Sequence, residues 1–480
     1  MPDIPLLRLN IDATSPLPLF EQIYTALRLH IVSGQMAAGD RLPPTRKLAD
    51  ELGISRTTIV TAYDQLAAEG FIEARRGAGV FVRDIGEVEL PSSAAVSLGM
   101  EESPGARAGE LKPFHPGQPD MRLFPYRQWA RSVARVARRD PKALVRNTEL
   151  FGNHDLRVEI CRYLSQWRGV KALPQQIMIT AGAGEALELC LLTLAKTGER
   201  IALETPVYPP LYSFAKSLGL RIDWLEVDAQ GAMVPTCKAG NQNPQLAFLT
   251  PSSQFPLGGA MQQARRSEFL SWAAQSQSWI IEDDFDSEFR YAGRPFPALA
   301  SFDHRERVIY VGSFSKIFSN GLRIGFLVVP DKLIERLRET VHQFGAKASV
   351  LPQQPLALFM KSGEFYRHIR RVRRIYAERR RVLINLLGSH LGDIASFDDH
   401  HAGMQIAIKL PSEYDDKKLS AAALDKQLIC PALSTYYKSA DKQNGLVLGF
   451  CGFTAEEMQK AMSSLGNIIA QMKGKPSARE

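Results

Sequence analysis

A lysine surrounded by hydroxyl and guanidinium groups follows one of the apolar runs of the chain. The stretch VIYVGSFSKIFSNGLRIGFLV contains Lys316 close to Ser313 and Ser315, with Arg323 seven residues further on. A deprotonated lysine forms a Schiff base with an aldehyde, and serine hydroxyls and an arginine hold a phosphate. Upstream, WIIEDDFDSEFRY places Asp283 at the end of another apolar run, where an acid would hold the ring nitrogen of a pyridine. These residue types predict a site for pyridoxal 5′-phosphate (PLP).

A glycine-rich turn in QIMITAGAGEALELCLLTL supplies further phosphate donors. After a predicted strand, the backbone N–H groups of Gly182, Ala183 and Gly184 would open a helix, whose N-terminus attracts anions. The same turn reads G-x-G-x-x-A, and Glu204 follows Gly184 by twenty residues, so a dinucleotide-binding fold is an alternative. That alternative leaves the lysine and the acid described above without a role. Tyr208, just beyond the next strand, would stack on a pyridine ring or simply pack in the core.

The N-terminal part of the chain predicts a helix-turn-helix. In RLPPTRKLADELGISRTTIVTAYDQLAAEGF, Gly53 separates two amphipathic helices and Ser55 can cap the second. The leading turn of a recognition helix meets base edges in the major groove, and its neighbours hold phosphates. The predicted DNA contacts are Arg41, Arg46, Lys47, Ser55, Arg56, Thr57, Thr58, Arg76 and Gly77, the last two at the tip of a short hairpin. A three-helix bundle with ordinary solvated charges is the alternative.

Changes in periodicity divide the chain into four segments. A DNA-binding domain is predicted over 10–83 and a flexible linker rich in Pro, Ser, Gly, Ala and Glu over 84–112. Short apolar runs then alternate with helical stretches, which predicts an α/β domain with a mostly parallel sheet over 113–345. A long charged helix opens a smaller α+β subdomain over 346–474.

Composition excludes several classes of protein. With 45% hydrophobic and 23% charged residues the chain has the composition of a globular protein, and no apolar run approaches the roughly 18 residues of a membrane span. No targeting segment is evident at the N-terminus, so a cytoplasmic location and no membrane partner are expected. The five cysteines are scattered and never form C-x-x-C, which predicts neither disulfides nor a metal site. The net charge of +8 favours an acidic partner.

The motifs resemble a known combination of domains. RLPPTRKLADELGISRTTIVTAYDQLAAEGFIEARRGAGVFV is similar to the GntR-type winged helix, and residues 113–470 resemble the fold-type I aminotransferase domain through FHPGQPD, TAGAGEAL, ETPVY, EDDFDSEFRYAG and GSFSK. Together the two resemble the MocR/GabR subfamily of GntR regulators. The resemblance implies that PLP is carried by Lys316, bound at its ring nitrogen by Asp283 and stacked by Tyr208. It assigns the phosphate to Ala183, Gly184, Ser313, Ser315 and Arg323.

Some positions depart from that pattern. The family usually has a tyrosine at Phe285, where its hydroxyl donates to the cofactor, and a histidine within the loop that reads Ser252-Ser253-Gln254 here. The aminotransferase arginine that clamps a substrate carboxylate has Val447 in its place. The arginine that the γ-aminobutyrate sensor carries after its stacking tyrosine is replaced by Pro209-Pro210. An amino acid held in the usual way is therefore disfavoured as the effector.

We therefore expect a transcription regulator that binds double-stranded DNA and senses PLP or an amine. The resemblance implies a head-to-tail homodimer that addresses paired half-sites. An active aminotransferase with an accessory DNA-binding domain, a constitutive DNA-binding protein that only dimerises through its PLP domain, and a dehydrogenase remain as rivals, and retained transamination stays open. The run RRVRRIYAERRR has enough arginines to follow phosphates, but a structural helix face is the preferred interpretation.

Overall fold

The computed structural model describes two separate units of the chain. The residues that it describes are 11–12, 15, 17–75, 77–84, 112–146, 149–236, 243–293, 296–438 and 442–472. Contacts divide the chain into Met1–Ala108 and Gly109–Glu480. Most of the predicted linker, residues 85–111, lies outside the described residues, and the finer boundary at 345 stays a prediction.

The first unit is a winged helix-turn-helix. Its helices are α1 (Leu19–Val32), α2 (Thr45–Leu52) and α3 (Arg56–Ala68), and its hairpin consists of β1 (Ile72–Arg75) and β2 (Gly79–Val82). The hairpin is antiparallel, with Ile72 opposite Val82. Apolar residues three or four positions apart face one core, which includes Ile23, Leu27, Leu48, Ile59 and Leu66. The predicted helical faces are thus the ones that the fold buries.

An eight-stranded sheet forms the centre of the second unit. In chain order its strands are β3 (Ile177–Thr180), β4 (Arg200–Thr205), β5 (Arg221–Asp228), β6 (Gly231–Ala232), β7 (Leu246–Leu249), β8 (Trp279–Asp284), β9 (Val308–Ser313) and β10 (Gly325–Val328). Their spatial order is β3-β10-β9-β8-β7-β4-β5-β6. Strands β5, β4, β7, β8 and β9 are parallel, whereas β10 is antiparallel to both of its neighbours. The prediction of a mostly parallel sheet is confirmed, and the strand order is not that of a dinucleotide-binding domain.

Helices accompany the strands of this sheet. They are α4 (Tyr126–Arg139), α5 (His154–Arg168), α6 (Ala183–Leu194), α7 (Pro209–Ser217), α8 (Gln263–Ser276), α9 (Ile334–Phe344) and α10 (Gln353–Lys361). Strands β3, β7, β9 and β10 are buried along their whole length, although β3 lies at the edge of the sheet, and this burial explains why they read as continuous apolar runs rather than as alternating ones.

The C-terminal part adds a smaller sheet. The long helix α11 (Glu364–Leu391) precedes β11 (Ser396–Phe397), β12 (Gln405–Lys409), α12 (Asp416–Asp425), β13 (Gly445–Gly449) and α13 (Ala455–Met472). The three strands are antiparallel in the order β11-β12-β13 and share a core with α11 and α13. Within the described ranges, no helix combines the length and the apolar character that crossing a membrane requires.

Several arginines of α11 form contacts with other segments of the second unit. Arg379 pairs with the buried carboxylate of Asp120 at 2.7 Å, and Arg380 pairs with Asp399. Arg371 donates to the carbonyl oxygen of Leu123. These contacts support the structural interpretation of the RRVRRIYAERRR run over a nucleic-acid interpretation.

Candidate functional site

The turn between α2 and α3 presents the start of α3 to solvent. Gly53 ends α2 in the left-handed conformation, with φ of 66°, where a glycine has no steric penalty. Ser55 caps α3, because its side-chain oxygen accepts a hydrogen bond from the Thr58 backbone N–H at 3.2 Å. Ser55, Arg56 and Thr57 are exposed and Thr58 is half-buried. The predicted base-reading residues thus form the exposed first turn of α3.

Predicted phosphate-binding cations surround this turn. Arg41, Arg46 and Lys47 are exposed, and Arg41 forms a β-bridge with Phe81 of the hairpin. Gly77 has a φ of 75° in the hairpin turn, whereas Arg76 lies outside the described residues. The sequence did not single out Thr45, whose hydroxyl accepts from the Nε of Arg56 at 3.4 Å. That contact links the starts of α2 and α3.

Lys316 lies shortly after β9, at the carboxyl end of the parallel strands. Its Nζ donates to the backbone oxygen of Gly117 at 2.7 Å. Burial lowers the pKa of the ammonium, and the negative charges of Asp286 and Asp283 partly oppose that effect. Gly117 has a φ of 63°, and a Cβ at that position would lie 2.9 Å from Nζ. A Cβ there would crowd the amine, and the left-handed backbone conformation itself favours glycine, which explains the glycine of the FHPG segment beside the lysine.

Asp283 is the next-to-last residue of β8. Part of the side chain is exposed, but its Oδ1 atom is shielded from water and has no hydrogen-bond partner among the described residues. Burial, together with the negative charges of Asp284 and Glu204, raises the pKa of Asp283 to about 7, and the charge of Lys316 opposes this shift. An unpartnered buried carboxylate is costly, and a bound cationic group would satisfy it.

The predicted phosphate donors come from two strand ends. Gly182 caps α6 with a φ of 92°, so that Ala183 and Gly184 form the first turn of the helix, with Gly184 exposed. Ser315 lies beside this turn: a Cβ on Gly182 would be 3.8 Å from its Oγ. Ser313 is buried and accepts from the backbone N–H of Ser315 at 3.1 Å. The structure therefore brings the helix N-terminus and Ser315 together, as expected.

The side chain of Arg323 has no acidic partner among the described residues, although the sequence assigns it to phosphate binding. Its side chain is exposed and forms no ion pair with any residue that the structure describes, and its backbone has a φ of 47°. Non-glycine residues rarely adopt such a conformation, and those that do often lie at functional sites. The phosphate-binding role of Arg323 stays a prediction.

An aromatic cluster centred on Phe255 includes the predicted stacking residue. The rings of Tyr208, Phe285 and Tyr436 meet the Phe255 ring edge-on, with centroids 5.5, 5.8 and 5.5 Å away. Tyr208 keeps 38% of its surface exposed. It borders the same cavity as Asp283. Phe285 offers only ring carbons to this cluster, so the hydroxyl that the family usually provides is absent from this position.

Val447 belongs to the core of the C-terminal part. It lies on β13 opposite Ala407 and is fully buried. It packs with Leu433, Tyr436 and Tyr437. An aliphatic side chain in such surroundings offers no hydrogen bond to a carboxylate, as the sequence indicated.

Two acids near the site were not assigned to it from the sequence. Asp286 is buried and accepts a hydrogen bond from Ser253, and burial together with the charge of Asp284 raises its pKa to about 8. The charge of Asp286 raises the pKa of Lys316 more strongly than that of Asp283 does. Glu204 borders the cavity of Asp283 and Tyr208, and accepts from the Thr250 N–H at 3.1 Å and from its hydroxyl at 2.5 Å. The D-x-x-D spacing of Asp283 and Asp286 was a visible signal for the first.

Close packing of β10 against the α6 turn leads to a testable prediction. A Cβ on Gly325 would lie 2.6 Å from the Gly182 carbonyl carbon and 3.0 Å from the Ala183 nitrogen. Gly325→Ala should therefore displace the turn, lower the free energy of unfolding by about 1–3 kcal/mol and weaken phosphate binding. Gly388→Ala is the matched control, since a Cβ there meets nothing within 4 Å. Urea unfolding and PLP titration measure both effects; equal behaviour of the two variants would contradict the prediction.

A second prediction concerns the stability of the cofactor-free protein. Buried acids on and after β8, together with Glu204, have pKa values raised to about 7 or 8: Glu204, Glu282, Asp283, Asp286 and Glu288. In the unfolded chain such groups titrate near pH 4, so at neutral pH the folded state holds protons that the unfolded state has released. Stability should therefore fall as pH rises from 6.5 to about 8, above which the folded state has released these protons as well.

The measurement is the urea midpoint of the full chain at several pH values. The described histidines with lowered pKa values, His115, His368 and His400, act only below about pH 6.5. These histidines therefore contribute little to the pH dependence above that value. Asp286→Asn should flatten the pH profile, and a midpoint that rises with pH in the wild type would refute the prediction.

Comparison with known families covers most of the chain. Residues 19–82 match the family of bacterial regulatory proteins of the gntR type, and residues 119–465 match aminotransferase class I and II. Solved aminotransferases share the second fold. An archaeal alanine:glyoxylate aminotransferase superposes with a TM-score of 0.71 at 25% identity, covering 76% of this chain and 92% of that one. The kynurenine aminotransferase of Pyrococcus horikoshii gives a TM-score of 0.70 at 23% identity, with the same coverage.

Relatives with both domains extend over nearly the full length. The probable rhizopine catabolism regulatory protein MocR of Rhizobium meliloti is 35% identical over 469 residues, which is 95% of each chain. The HTH-type pyridoxine biosynthesis transcriptional regulator PdxR of Corynebacterium glutamicum is 31% identical over 98% of this chain and 99% of its own length. With its winged helix followed by an aminotransferase-like domain, this chain belongs to the MocR/GabR type of GntR transcription regulators.

Proposed function

We propose that this regulator binds PLP at Lys316 and converts its occupancy into a change of DNA affinity. The observation that carries the proposal is that a partly desolvated lysine amine and the unpartnered Oδ1 of Asp283 both lie at the carboxyl end of the same sheet. The residues present fit the cofactor. Gly117 leaves space beside the amine, and the α6 N-terminus with Ser315 offers donors for a phosphate. PLP, when bound, supplies an aldehyde for amines and an electron-withdrawing ring.

Each residue of the site has a proposed task. Lys316 provides the amine that holds the cofactor, and Asp283 holds a proton on the ring nitrogen. Tyr208 covers one ring face. Phosphate oxygens are bound by Ala183, Gly184, Ser313, Ser315 and Arg323. The domain limits 10–83, 113–345 and 346–474 are proposed with them, as is a location in the cytoplasm.

For the effector we propose PLP itself or an amine without a carboxylate clamp. Val447 lies in an apolar core and Pro209-Pro210 follow Tyr208, so neither position offers an arginine to a carboxylate, which disfavours an amino acid bound as in aminotransferases. The relative from Corynebacterium glutamicum is a transcriptional regulator of pyridoxine biosynthesis, which supports a vitamin B6 compound as the effector. We propose a head-to-tail homodimer, in which two copies of α3 bind paired half-sites of the DNA. The proposed base contacts are Ser55, Arg56, Thr57 and Thr58. The proposed contacts with the DNA backbone are Arg41, Arg46, Lys47, Arg76 and Gly77.

Titration of DNA affinity with PLP tests the proposal. The full chain is mixed with the DNA segment directly upstream of its own coding sequence, with PLP or with pyridoxine, which lacks both aldehyde and phosphate. PLP should change the Kd for DNA by about 5- to 150-fold, the range of ordinary allosteric coupling, and DNA should change the PLP affinity by the same factor. Pyridoxine should have no effect.

Two results would overturn this proposal. An unchanged Kd with PLP fully bound would mean that the second unit only holds copies of the chain together. Multiple turnovers of an amino acid to its keto acid would favour an active aminotransferase instead.

A further inference from the structure

Helix α4 carries five arginines on one side. Arg127, Arg131, Arg135, Arg138 and Arg139 are all exposed, and the helix contains no acidic residue. At about 100° per residue these positions fall within about 120° of arc and extend over about 18 Å of helix axis. We call them the arginine stripe.

The opposite side of α4 is fixed to the second unit. Ser132 and Val136 are buried. The Trp129 ring meets the Phe318 ring at 5.4 Å and the Phe359 ring at 6.1 Å. Because this apolar side anchors the helix, the arginine stripe is held in a fixed orientation towards solvent.

No residue that the structure describes neutralises the stripe. None of its guanidinium groups takes part in a salt bridge or hydrogen bond with the described residues, unlike those of Arg379 and Arg380 of α11. Five like charges along one helix repel one another, so the arrangement costs stability unless an anionic partner offsets it. A solvated helix face normally mixes both signs of charge.

The charge distribution of the chain points to the partner. Residues 1–83 contain nine Lys/Arg and nine Asp/Glu, so the winged helix is neutral as a block. Residues 112–480 contain 49 basic and 36 acidic residues. Binding of duplex DNA draws most of its sequence-independent affinity from cations that replace counterions on phosphates. The N-terminal domain balances its cations with an equal number of acidic residues, whereas α4 carries five cations and no acidic residue.

We propose that the arginine stripe binds the phosphate backbone of the DNA duplex that the winged helix recognises. The inference rests on DNA binding by the N-terminal domain and assigns a second contact surface to the other unit. Guanidinium groups suit this role, because their planar fork donates two parallel hydrogen bonds to phosphate oxygens. Contacts of this kind add affinity without reading sequence, so the DNA need only extend beyond the half-sites.

The test compares two triple variants of the full chain. Arg131→Gln/Arg135→Gln/Arg138→Gln removes three charges from the stripe. Arg370→Gln/Arg374→Gln/Arg381→Gln removes three exposed charges from α11 and is the matched control. Binding to a mixed-sequence 40-base-pair duplex, about 136 Å long, is measured between 50 and 200 mM salt.

For the stripe variant we expect the slope of log K against log salt to decrease in magnitude by about 2 to 3, and the affinity at 100 mM salt to fall at least about tenfold. The control should keep the wild-type slope. An equal loss of DNA affinity in both variants would mean that only the net charge of the protein matters, which would overturn the proposal. A stripe variant that binds DNA with the wild-type affinity and salt dependence would overturn it too. In that case the wild type would still bind DNA, and the function of the winged helix would stand.

Two further measurements exclude other occupants of the stripe. Light scattering would detect a lower oligomeric state of the stripe variant, which would assign the surface to a second copy of the chain and contradict the proposal. Binding to vesicles with 30% anionic lipid is measured without DNA. Vesicles that bind the wild type but not the stripe variant would assign the stripe to a lipid surface and contradict the proposal.

Discussion

Lys316→Ala should abolish covalent binding of PLP and the response of DNA affinity to it. The variant keeps the Asp283 carboxylate and the α6 N-terminus, so cofactor binds only through non-covalent contacts and dialysis removes it. The visible absorbance band of the wild type should be absent. DNA affinity without PLP should equal that of the wild type, since Lys316 lies outside the winged helix. Spectra after dialysis and DNA titrations with and without PLP measure these outcomes.

Lys316→Arg is the matched control for charge. It keeps a cation near Asp286 and Asp283, which the buried acids need, but its guanidinium forms no Schiff base at neutral pH. The DNA affinity of both variants should therefore no longer respond to PLP. Only Lys316→Ala leaves Asp286 and Asp283 without this positive charge. A full PLP response in either variant would rule out covalent sensing at this position.

Asp283→Asn should weaken PLP binding by about 10- to 150-fold. A hydrogen bond between a carboxylate and a charged group contributes about 1.5–3 kcal/mol, and an amide keeps the shape of Asp283 but not its charge. Because the pKa of Asp283 is raised to about 7, the carboxylate of the wild type becomes ionised as pH rises through that value. Binding by the wild type should thus strengthen between pH 6 and 8, and the variant should lose this part of the pH dependence.

PLP titrations of the full chain at pH 6, 7 and 8 measure this prediction. Asp303→Asn is a suitable control, since Asp303 accepts from the N–H groups of Arg305, Arg307 and Val308 at a loop away from Lys316. Equal PLP affinity of Asp283→Asn and the wild type at pH 8 would remove Asp283 from the site.

Local sequence signals predicted the secondary structure and the positions of most site residues. Ser55 follows Gly53 in a pattern that fixes both the end of α2 and the start of α3, and both roles are found in the structure. Asp283 and Lys316 lie at or just after the ends of strands whose apolar runs are unmistakable. Since parallel strands end at the same edge of a sheet, two such residues come together whatever the loops between them do.

The contacts that the sequence did not reveal depend on distant segments. The carbonyl of Gly117 accepts from Lys316 across 199 positions of chain, and the Gly182 turn touches Gly325 of β10. Asp286 is buried through packing, which local periodicity does not report. The arginines of α11 illustrate the same limit: the sequence favoured a structural helix face for them, but it did not reveal that Asp120, 259 positions away, pairs with Arg379.

Borohydride reduction of the PLP-treated full chain, followed by peptide mapping, tests the central claim most directly. We expect one stable phosphopyridoxyl adduct, on the peptide that contains Lys316, formed at a molar ratio close to one per chain. A protein that stays colourless with added PLP and yields no adduct on that peptide, or adducts spread over surface lysines, would contradict it.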